Sequence, residues 1–193
     1  MRKVIVVKVS GYYVLNEVFL RNIVKAINEA KVTPIFICGG GIFANAVREA
    51  YLNYEVDEKT AHYAAIKAME VSAIMFSRKI PKHVFAETLE EINSAIIRGT
   101  IPIVLPYRIV SKVNILPESW EITSDSIAAL ISLLSGVRKI VFVKKSPSLK
   151  GFDKDVCKYV DKYACKIIKN YGLSSLVVNG DHVESIVLGF ISV

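Results

Sequence analysis

The chain has 193 residues, only three cysteines and no glutamine. Cys38, Cys157 and Cys165 form no C-x-x-C pair, and so small and odd a set argues against a disulfide framework and against a structural zinc site. We expect Cys157 and Cys165 to face the core from one helix. The three histidines show no metal-ligand spacing, so the sequence predicts no metal site built from protein ligands.

Uninterrupted apolar runs of membrane length are also lacking, because glycine, proline, threonine or serine breaks the longest uncharged stretches. The start, Met1-Arg2-Lys3, leads directly into a strand-like apolar run and does not resemble a secretion signal. We therefore expect a cytoplasmic protein. A hydrophobic content of 52% predicts one domain over residues 1–193, with a full core.

The net charge is +7, from 25 basic and 18 acidic residues, but the basic residues are spread along the chain. Because a nucleic-acid surface needs basic residues clustered in one patch or arm, nucleic-acid binding ranks only third among the functions considered. The densest basic group is Lys144, Lys145 and Lys150, which we interpret as a local phosphate site. The absence of glutamine, with much Ile, Val, Lys and Glu, is typical of a thermophile.

Strand-like and helix-like patterns alternate along the chain, which predicts an α/β fold: a three-layer α/β/α sandwich with a mainly parallel central sheet. Residues 106–118 are predicted to be a loop or hairpin. The predicted strands are 3–9, 32–38, 71–76, 101–105, 139–143, 176–179 and 186–193. The predicted helices are 16–30, one from the glycines at 39–41 to about 54, one capped by Asp57 or Thr60, then 87–98, 124–135 and 155–170.

The most informative motif is Gly39-Gly40-Gly41, between an apolar strand and a helical pattern. Glycines let a ligand approach the backbone, and the N–H groups of a helix start attract anions. The motif therefore predicts an anion site, with a purely structural glycine turn as the alternative. Gly39-x-Gly41-x-x-Ala44 also fits a dinucleotide fingerprint, although it follows the second strand and not the first.

Three further segments carry groups that would suit phosphate chemistry. Lys8-Val9-Ser10-Gly11 ends the first strand, and a lysine there could reach an anion. Asp125 lies in the first turn of a helix, either as a complement to the dipole beside a capping Ser124 or as an anion that holds lysines in place. The lysines at 144 and 145 follow a strand and precede Gly151-Phe152-Asp153, a pattern that suits nucleotide phosphates or an ordinary basic loop.

Taken together, Lys8-Val9-Ser10-Gly11, the glycine motif with Ile42-Phe43-Ala44, and Thr123-Ser124-Asp125-Ser126-Ile127-Ala128 resemble the amino acid kinase family. The segment from Ser119 to Ile127 is most similar to archaeal members, among uridylate kinases and methanofuran-biosynthesis kinases. The resemblance implies the carbamate kinase-like fold, ATP as phosphoryl donor, Mg²⁺ bound through the nucleotide, a small anionic acceptor and a homodimer.

The resemblance also implies roles for particular residues. Lys8, Asp125 and Lys144 would form the catalytic group, in which Lys8 contacts the transferring phosphate and Asp125 organises the lysines. The acceptor would be held by Gly39, Gly40, Gly41, Trp120 and Thr123. The ATP half would contain Ser10, Gly11, Lys145, Gly151, Phe152 and Asp153.

Two departures from the family pattern keep a second hypothesis open. Tyr12 and Tyr13 stand where relatives carry small residues, and the nucleotide loop lacks the usual Val-Asp-Gly sequence. The leading hypothesis is a kinase that transfers the γ-phosphoryl group of ATP to a phosphate or carboxylate oxygen. The alternative is a binding or regulatory protein that keeps the fold without turnover.

Overall fold

The computed structural model describes residues 2–113, 115–146, 148–149 and 151–193. In these residues one sheet contains seven strands, in the spatial order β3-β4-β2-β1-β5-β7-β6. All neighbouring strands are parallel except β6 and β7. The strands are β1 (Lys3–Val9), β2 (Val32–Cys38), β3 (His83–Ala86), β4 (Ile101–Val104), β5 (Lys139–Lys144), β6 (Phe152–Asp153) and β7 (Ser174–Asn179).

Helices cover both faces of this sheet, which confirms the predicted three-layer α/β/α sandwich. One apolar core contains Phe19 and Ile23 from α1 and Phe190 from α8, whereas the other contains Ile127 from α6 and Ile168 from α7. The helices are α1 (Glu17–Ala30), α2 (Gly41–Asn53), α3 (Glu58–Ser77), α4 (Leu89–Ile97), α5 (Tyr107–Val113), α6 (Ser124–Leu134), α7 (Lys162–Tyr171) and α8 (Val183–Ser192).

Two predicted strands are wrong, because each lies within a helix. Residues 71–76 belong to α3, where Ser72, Ala73 and Phe76 are buried at helical spacing while Ile74 is exposed. Residues 186–193 belong largely to α8, in which Ile186, Gly189 and Phe190 are buried. Short apolar runs satisfy either period, and burial on one helical face decides between them.

Four smaller points concern a missed helix, a missed edge strand and two helix boundaries. Residues 106–118 contain a helix, α5, and β3 is an edge strand that the sequence analysis missed because only its last residue, Ala86, is buried. The predicted helix 155–170 is a 3₁₀ turn over Val156–Lys158 followed by α7. Asp57, and not Thr60, caps α3, since its carboxylate accepts the Thr60 N–H at 2.9 Å.

The expectation about the cysteines is also wrong. Cys157 and Cys165 form a disulfide that joins the 3₁₀ turn to α7, and only Cys38 is a free, buried thiol in the described part of the chain. The chain breaks out of helical geometry between the two cysteines, where Asp161 has extended φ and ψ angles. This break, which eight-residue spacing does not reveal, brings the two sulfurs together.

No helix in the described ranges is both long enough and apolar enough to cross a bilayer.

Candidate active site

The parallel strands β2, β1 and β5 are neighbours, so their carboxyl ends meet at one edge of the sheet. Backbone hydrogen bonds fasten the loops that leave them: the Ser10 N–H donates to Val143 O at 2.9 Å, and the Gly39 N–H donates to Val9 O at 2.8 Å. The loops after Val9, Cys38 and Lys144 therefore lie side by side. All three contain residues that the sequence analysis assigned to phosphate binding.

The two glycine loops touch through their backbones. A Cβ atom on Gly11 would lie 2.2 Å from the Gly41 nitrogen and 2.9 Å from the Gly39 oxygen. Gly41 has a φ of +55°, a conformation that favours glycine, and a Cβ there would lie 2.7 Å from the Gly11 oxygen. Because Gly11 and Gly41 have no side chains, the two loops can contact each other through their backbones, which is a structural role for these glycines. This contact brings the first loop to the start of α2.

Strand alternation explains how two lysines reach the same side of the sheet. Val6 in β1 and Phe142 in β5 belong to the core on the α6 side, whereas their strand neighbours belong to the opposite core. Lys8 and Lys144 keep the same alternation as Val6 and Phe142, so both side chains lie on the α6 face. The sequence spacing within each strand fixes this placement.

Asp125, in the first turn of α6, lies between the two lysines. The Lys8 Nζ atom is 2.8 Å from Asp125 Oδ1, and the Lys144 ammonium donates a hydrogen bond to Oδ2. No described residue makes a directed hydrogen bond to Oδ1, so the Lys8 charge is what stabilises that oxygen. Lys8 and Asp125 are nearly fully buried, whereas Lys144 keeps 20% of its side chain exposed and is the member open to a ligand.

The cluster has shifted titration behaviour. Burial acts to raise the pKa of Asp125, but the charges of Lys8 and Lys144 together outweigh it and hold that pKa below its ordinary value. Burial and the neighbouring Lys8 charge lower the pKa of Lys144, although Asp125 opposes them. Two ammonium groups and one carboxylate leave a net positive charge at the sheet edge.

Two helix starts converge on this cluster. Gly40 is the N-cap of α2 and offers no side-chain cap, so the first-turn N–H groups of α2 lack an intrahelical partner and face the glycine loop. The start of α6 lies against it, because a Cβ on Gly39 would be 3.1 Å from Ser124 Oγ. Thr123, and not Ser124, caps α6 by accepting the Asp125 N–H at 3.2 Å. The positive ends of both helix dipoles therefore point to the same region.

A cavity of about 140 Å³ opens beside these helix starts. Among the described residues its lining contains no carboxylate, and its cationic group is Arg48. The other lining residues are Gly40, Ala44, Asn45, His62, Ala65, Ile66, Met69, Ser119, Trp120, Ile122, Thr123, Ser124 and Ile127. The cavity is thus mainly apolar with a positive rim, and it includes Gly40, Trp120 and Thr123, three of the residues predicted to hold an acceptor.

Aromatic and polar contacts shape the mouth of this cavity. The Trp120 ring stacks on Tyr51 with centroids 5.5 Å apart, and the Arg48 guanidinium carbon lies 5.6 Å from the Trp120 ring centre. His62 Nδ1 donates to Ser119 O at 3.0 Å, which fixes the residue as an Nδ1–H tautomer when neutral. Burial lowers the pKa of His62 despite that hydrogen bond, so the ring is neutral at pH 7.

Of the predicted ATP residues, Ser10 and Gly11 lie at the end of β1, with Gly11 against Gly41, and the other four lie in the chain that follows Lys144. Lys145 is exposed and turns away from Asp125, since its ammonium donates to the Tyr12 hydroxyl and lies 4.1 Å from the Tyr12 ring centre. Gly151 has a φ of +85°, and its carbonyl accepts the Asn179 N–H at 3.0 Å. Phe152 is half exposed on β6. Lys150 lies outside the described residues.

Asp153 has a local partner, because its carboxylate accepts the Asp155 N–H at 2.8 Å. That hydrogen bond holds the pKa of Asp153 below its usual value. In the described ranges no group of three His, Cys, Asp or Glu side chains is arranged to hold a metal ion.

The two tyrosines after the first loop differ in position. Tyr13 is buried, stacks on Phe19 with centroids 4.6 Å apart and donates from its hydroxyl to Asp181 at 2.8 Å. Burial and the Asp181 contact raise the pKa of Tyr13. Tyr12 is 55% exposed beside Lys145. Tyr12 is therefore the exposed member of the pair, whereas Tyr13 is a core residue whose hydroxyl also lies 3.5 Å from Lys144 O.

The family model for the amino acid kinase family matches residues 3–180. The chain belongs to the amino acid kinase family. This membership confirms the predicted fold and the prediction of a kinase, and it favours phosphoryl transfer over the dinucleotide alternative. It leaves the identity of donor and acceptor open.

Similar proteins and structures agree with this family. The chain is 29% identical over 180 residues to a [5-(aminomethyl)furan-3-yl]methyl phosphate kinase of Methanocaldococcus jannaschii, covering 86% of this chain and 82% of that protein. A uridylate kinase structure from Archaeoglobus fulgidus superimposes with a TM-score of 0.72 at 17% identity, over 97% of this chain and 95% of that one. A UMP kinase structure from Ureaplasma parvum gives a TM-score of 0.72 at 16% identity, over 97% and 94%.

Several residues that the structure places around the site were not predicted from the sequence. His62 and Arg48 line the cavity, the Asn179 side chain donates to Leu149 O at 3.1 Å, and Asp161 hydrogen-bonds to the start of α6. Asp161 has a recognisable sequence signal, since Asp is a favoured N-cap residue. The helix predicted over 155–170 concealed it.

Proposed function

We propose that this chain is a kinase that transfers the γ-phosphoryl group of ATP to a phosphate or carboxylate oxygen of a small anionic acceptor. The observation that carries the proposal is the buried Lys8–Asp125–Lys144 cluster at the meeting point of two helix starts. Phosphoryl transfer requires positive charge and N–H donors around the moving group more than covalent help from the protein. This edge of the sheet supplies both.

In the proposed arrangement the donor lies on the Lys144 side and the acceptor in the 140 Å³ cavity. Ser10, Gly11 and the loop at 145–153 would border the ATP phosphates, with Mg²⁺ neutralising phosphate charge through the nucleotide. The N–H groups at Gly40 and Gly41 would bind the acceptor anion and the transferred group. Asp125 would orient the two lysines, of which Lys144 is open enough to follow the transferring phosphate.

The cavity supports a small, flat acceptor that carries a phosphate. Its rim has a cationic Arg48 and a Trp120 ring, and among the described residues no carboxylate lines it to repel an anion. A phosphomonoester with an aromatic ring, the class of compound named for the similar kinase of Methanocaldococcus jannaschii, fits that chemistry. Uridylate is a larger molecule of the same phosphomonoester class.

The proposal is tested by measuring ADP release from Mg-ATP with a panel of acceptors: a hydroxymethylfuran phosphate, uridylate, a simple alkyl phosphate and a carboxylate. We expect acceptor-dependent ADP release that is strongest with the hydroxymethylfuran phosphate and is lost in Lys144→Ala. ATP binding without turnover for any acceptor would instead support the binding or regulatory alternative, which the exposed Tyr12–Lys145 pair beside the donor loops favours.

We also propose a cytoplasmic homodimer. Apolar side chains are exposed on the outer faces of α2 and α3, including Ile42 at 60% and Ile74 at 51%. Exposed apolar groups on neighbouring helices are typical of protein interfaces. Sedimentation of the purified protein tests this proposal, with twice the monomer mass of 21.4 kDa expected and a monomer contradicting it.

A further inference from the structure

The carboxylate of Asp161 joins two helices at the site. Its Oδ1 atom accepts the N–H groups of Tyr163 and Ala164, both at 2.9 Å, and so caps α7. Its Oδ2 atom accepts the Thr123 hydroxyl at 2.6 Å and the Ser126 N–H at 3.1 Å. The Ser126 hydroxyl also donates to Oδ1. Five donors therefore converge on one carboxylate, three of them from the α6 start.

These contacts bracket Asp125. Thr123 and Ser126 lie on either side of it in the sequence, and Thr123 also caps its N–H. Asp125 has a buried carboxylate whose position fixes both Lys8 and Lys144. A displacement of the first turn of α6 would therefore move all three charged groups together.

An ordinary helix cap does not need this arrangement. Among the described residues, the Asp57 carboxylate that caps α3 accepts hydrogen bonds from Thr60 alone, from its N–H at 2.9 Å and its hydroxyl at 2.6 Å. The Asp161 carboxylate reaches across 35 residues of sequence to Ser126, which is fully buried and cannot itself contact a substrate. The Oδ2 atom accepts from the start of α6, whereas Oδ1 accepts from the two α7 N–H groups and from the Ser126 hydroxyl.

We propose that Asp161 is a positioning residue for phosphoryl transfer: it holds the first turn of α6, and through it Asp125, in the arrangement that orients Lys8 and Lys144. The inference rests on the proposed kinase function. Small displacements of catalytic groups cost rate more than binding, since about 1 Å of misplacement can reduce a rate about 100-fold. Removing the Oδ2 contacts should therefore lower kcat while leaving the KM for Mg-ATP nearly unchanged.

Asp161→Asn is the most selective variant. Its amide oxygen can keep the α7 cap at the Oδ1 position, because Asn caps helices as well as Asp does. The amide NH₂ then replaces Oδ2 and cannot accept from Thr123 or Ser126. The matched control is Asp57→Asn, which makes the same chemical change at the cap of α3. Asp161→Glu tests whether a carboxylate on a longer side chain restores the contacts.

Steady-state kinetics is the first of two measurements that test the positioning role of Asp161. In steady-state assays we expect Asp161→Asn to lose about 10- to 100-fold in kcat with KM for Mg-ATP within about threefold, and Asp57→Asn to keep kcat within about twofold. Equal kcat in Asp161→Asn and Asp57→Asn would overturn the inference.

Amide hydrogen exchange over residues 119–128 provides a readout that needs no turnover. We expect faster exchange in that segment for Asp161→Asn and not for Asp57→Asn, because the contacts to the α6 start are lost. Unchanged exchange there would overturn the proposed positioning role. If the wild-type protein shows no kinase activity with any acceptor, the proposed function fails, and the exchange comparison alone decides whether Asp161 orders the α6 start.

Discussion

Replacing Asp125 by Asn should damage the site and the fold together. At 2.8 Å and an effective dielectric constant of about 20, the attraction between Lys8 and Asp125 is about 6 kcal/mol before desolvation is subtracted. Removing one partner of a buried ion pair costs about 3–5 kcal/mol. In Asp125→Asn two buried ammonium groups would face each other without a carboxylate. For a chain of this size we expect the melting temperature to fall by roughly 6–20 °C.

Asp125→Asn should also change how kcat depends on pH. Asp125 raises the pKa of Lys144 against the lowering effects of burial and Lys8, so its removal should lower that pKa further. The alkaline limb of the kcat profile should therefore move to lower pH in Asp125→Asn. At its optimum the variant should lose about 100-fold or more in kcat, by analogy with the loss of one electrostatic group from an active site.

The dependence of folding stability on acid pH gives an independent test of the Asp125 ion pairs. Because the folded pKa of Asp125 is depressed, its ion pairs contribute stability that is fully present above the unfolded pKa of about 3.9 and is lost as pH falls through the folded value. Wild-type protein should therefore lose stability in acid more steeply than Asp125→Asn. The assay is urea unfolding between pH 2 and 8, alongside kinase kinetics.

The matched control is Glu29→Gln, which neutralises the exposed carboxylate that pairs with Lys25 at 3.6 Å on α1. An exposed pair of this kind contributes about 0–1 kcal/mol, so stability and kcat should remain close to wild type. If Asp125→Asn matches Glu29→Gln in stability, kcat and pH profile, the cluster does not hold the site together and the electrostatic reasoning is refuted.

Gly11→Ala should destabilise the protein by about 3 kcal/mol or more in urea unfolding, because its Cβ would lie 2.2 Å from the Gly41 nitrogen. The control Gly99→Ala has open space around it and should cost only about 1–2 kcal/mol of backbone strain. Equal losses in the two variants would contradict the contact between the loops. Without reductant, Cys157→Ser should lower the free energy of unfolding by about 2–3 kcal/mol. Dithiothreitol should lower the stability of wild type but not that of the variant. A wild-type protein whose stability is insensitive to dithiothreitol would exclude the disulfide. Trp120→Ala should raise KM for the acceptor at least tenfold with little change in KM for ATP, and the opposite pattern would remove the cavity from the acceptor site.

Much of the fold is predictable from the sequence because its signals are local. Strand patterns in β1 and β2, the glycines that follow them and the alternation of strands with helices predict a parallel sheet with loops meeting at one edge. Lys8 and Lys144 are candidates because they lie at strand ends, and the family resemblance predicts that Asp125 organises them. The structure brings these three side chains together. Their catalytic roles stay a prediction.

Other features depend on tertiary contacts that one sequence does not reveal. The segment predicted as a strand at 186–193 lies largely in α8, whose Gly189 packs so closely on β7 that a Cβ would lie 2.4 Å from a Val178 methyl group. The Cys157–Cys165 disulfide requires the break in the helix at Asp161. The link from Asp161 to Thr123 spans 38 residues and leaves no periodic pattern in the sequence.

The most direct test of phosphoryl-donor chemistry at this site is calorimetric titration of the purified protein with Mg-ATP, alongside Lys8→Ala and Lys144→Ala. We expect measurable binding in wild type that weakens at least tenfold in both variants, because each removes positive charge from the cluster beside the proposed donor site. Absence of binding heat and of any thermal shift in wild type would contradict the proposed kinase, as would equal affinity in all three proteins.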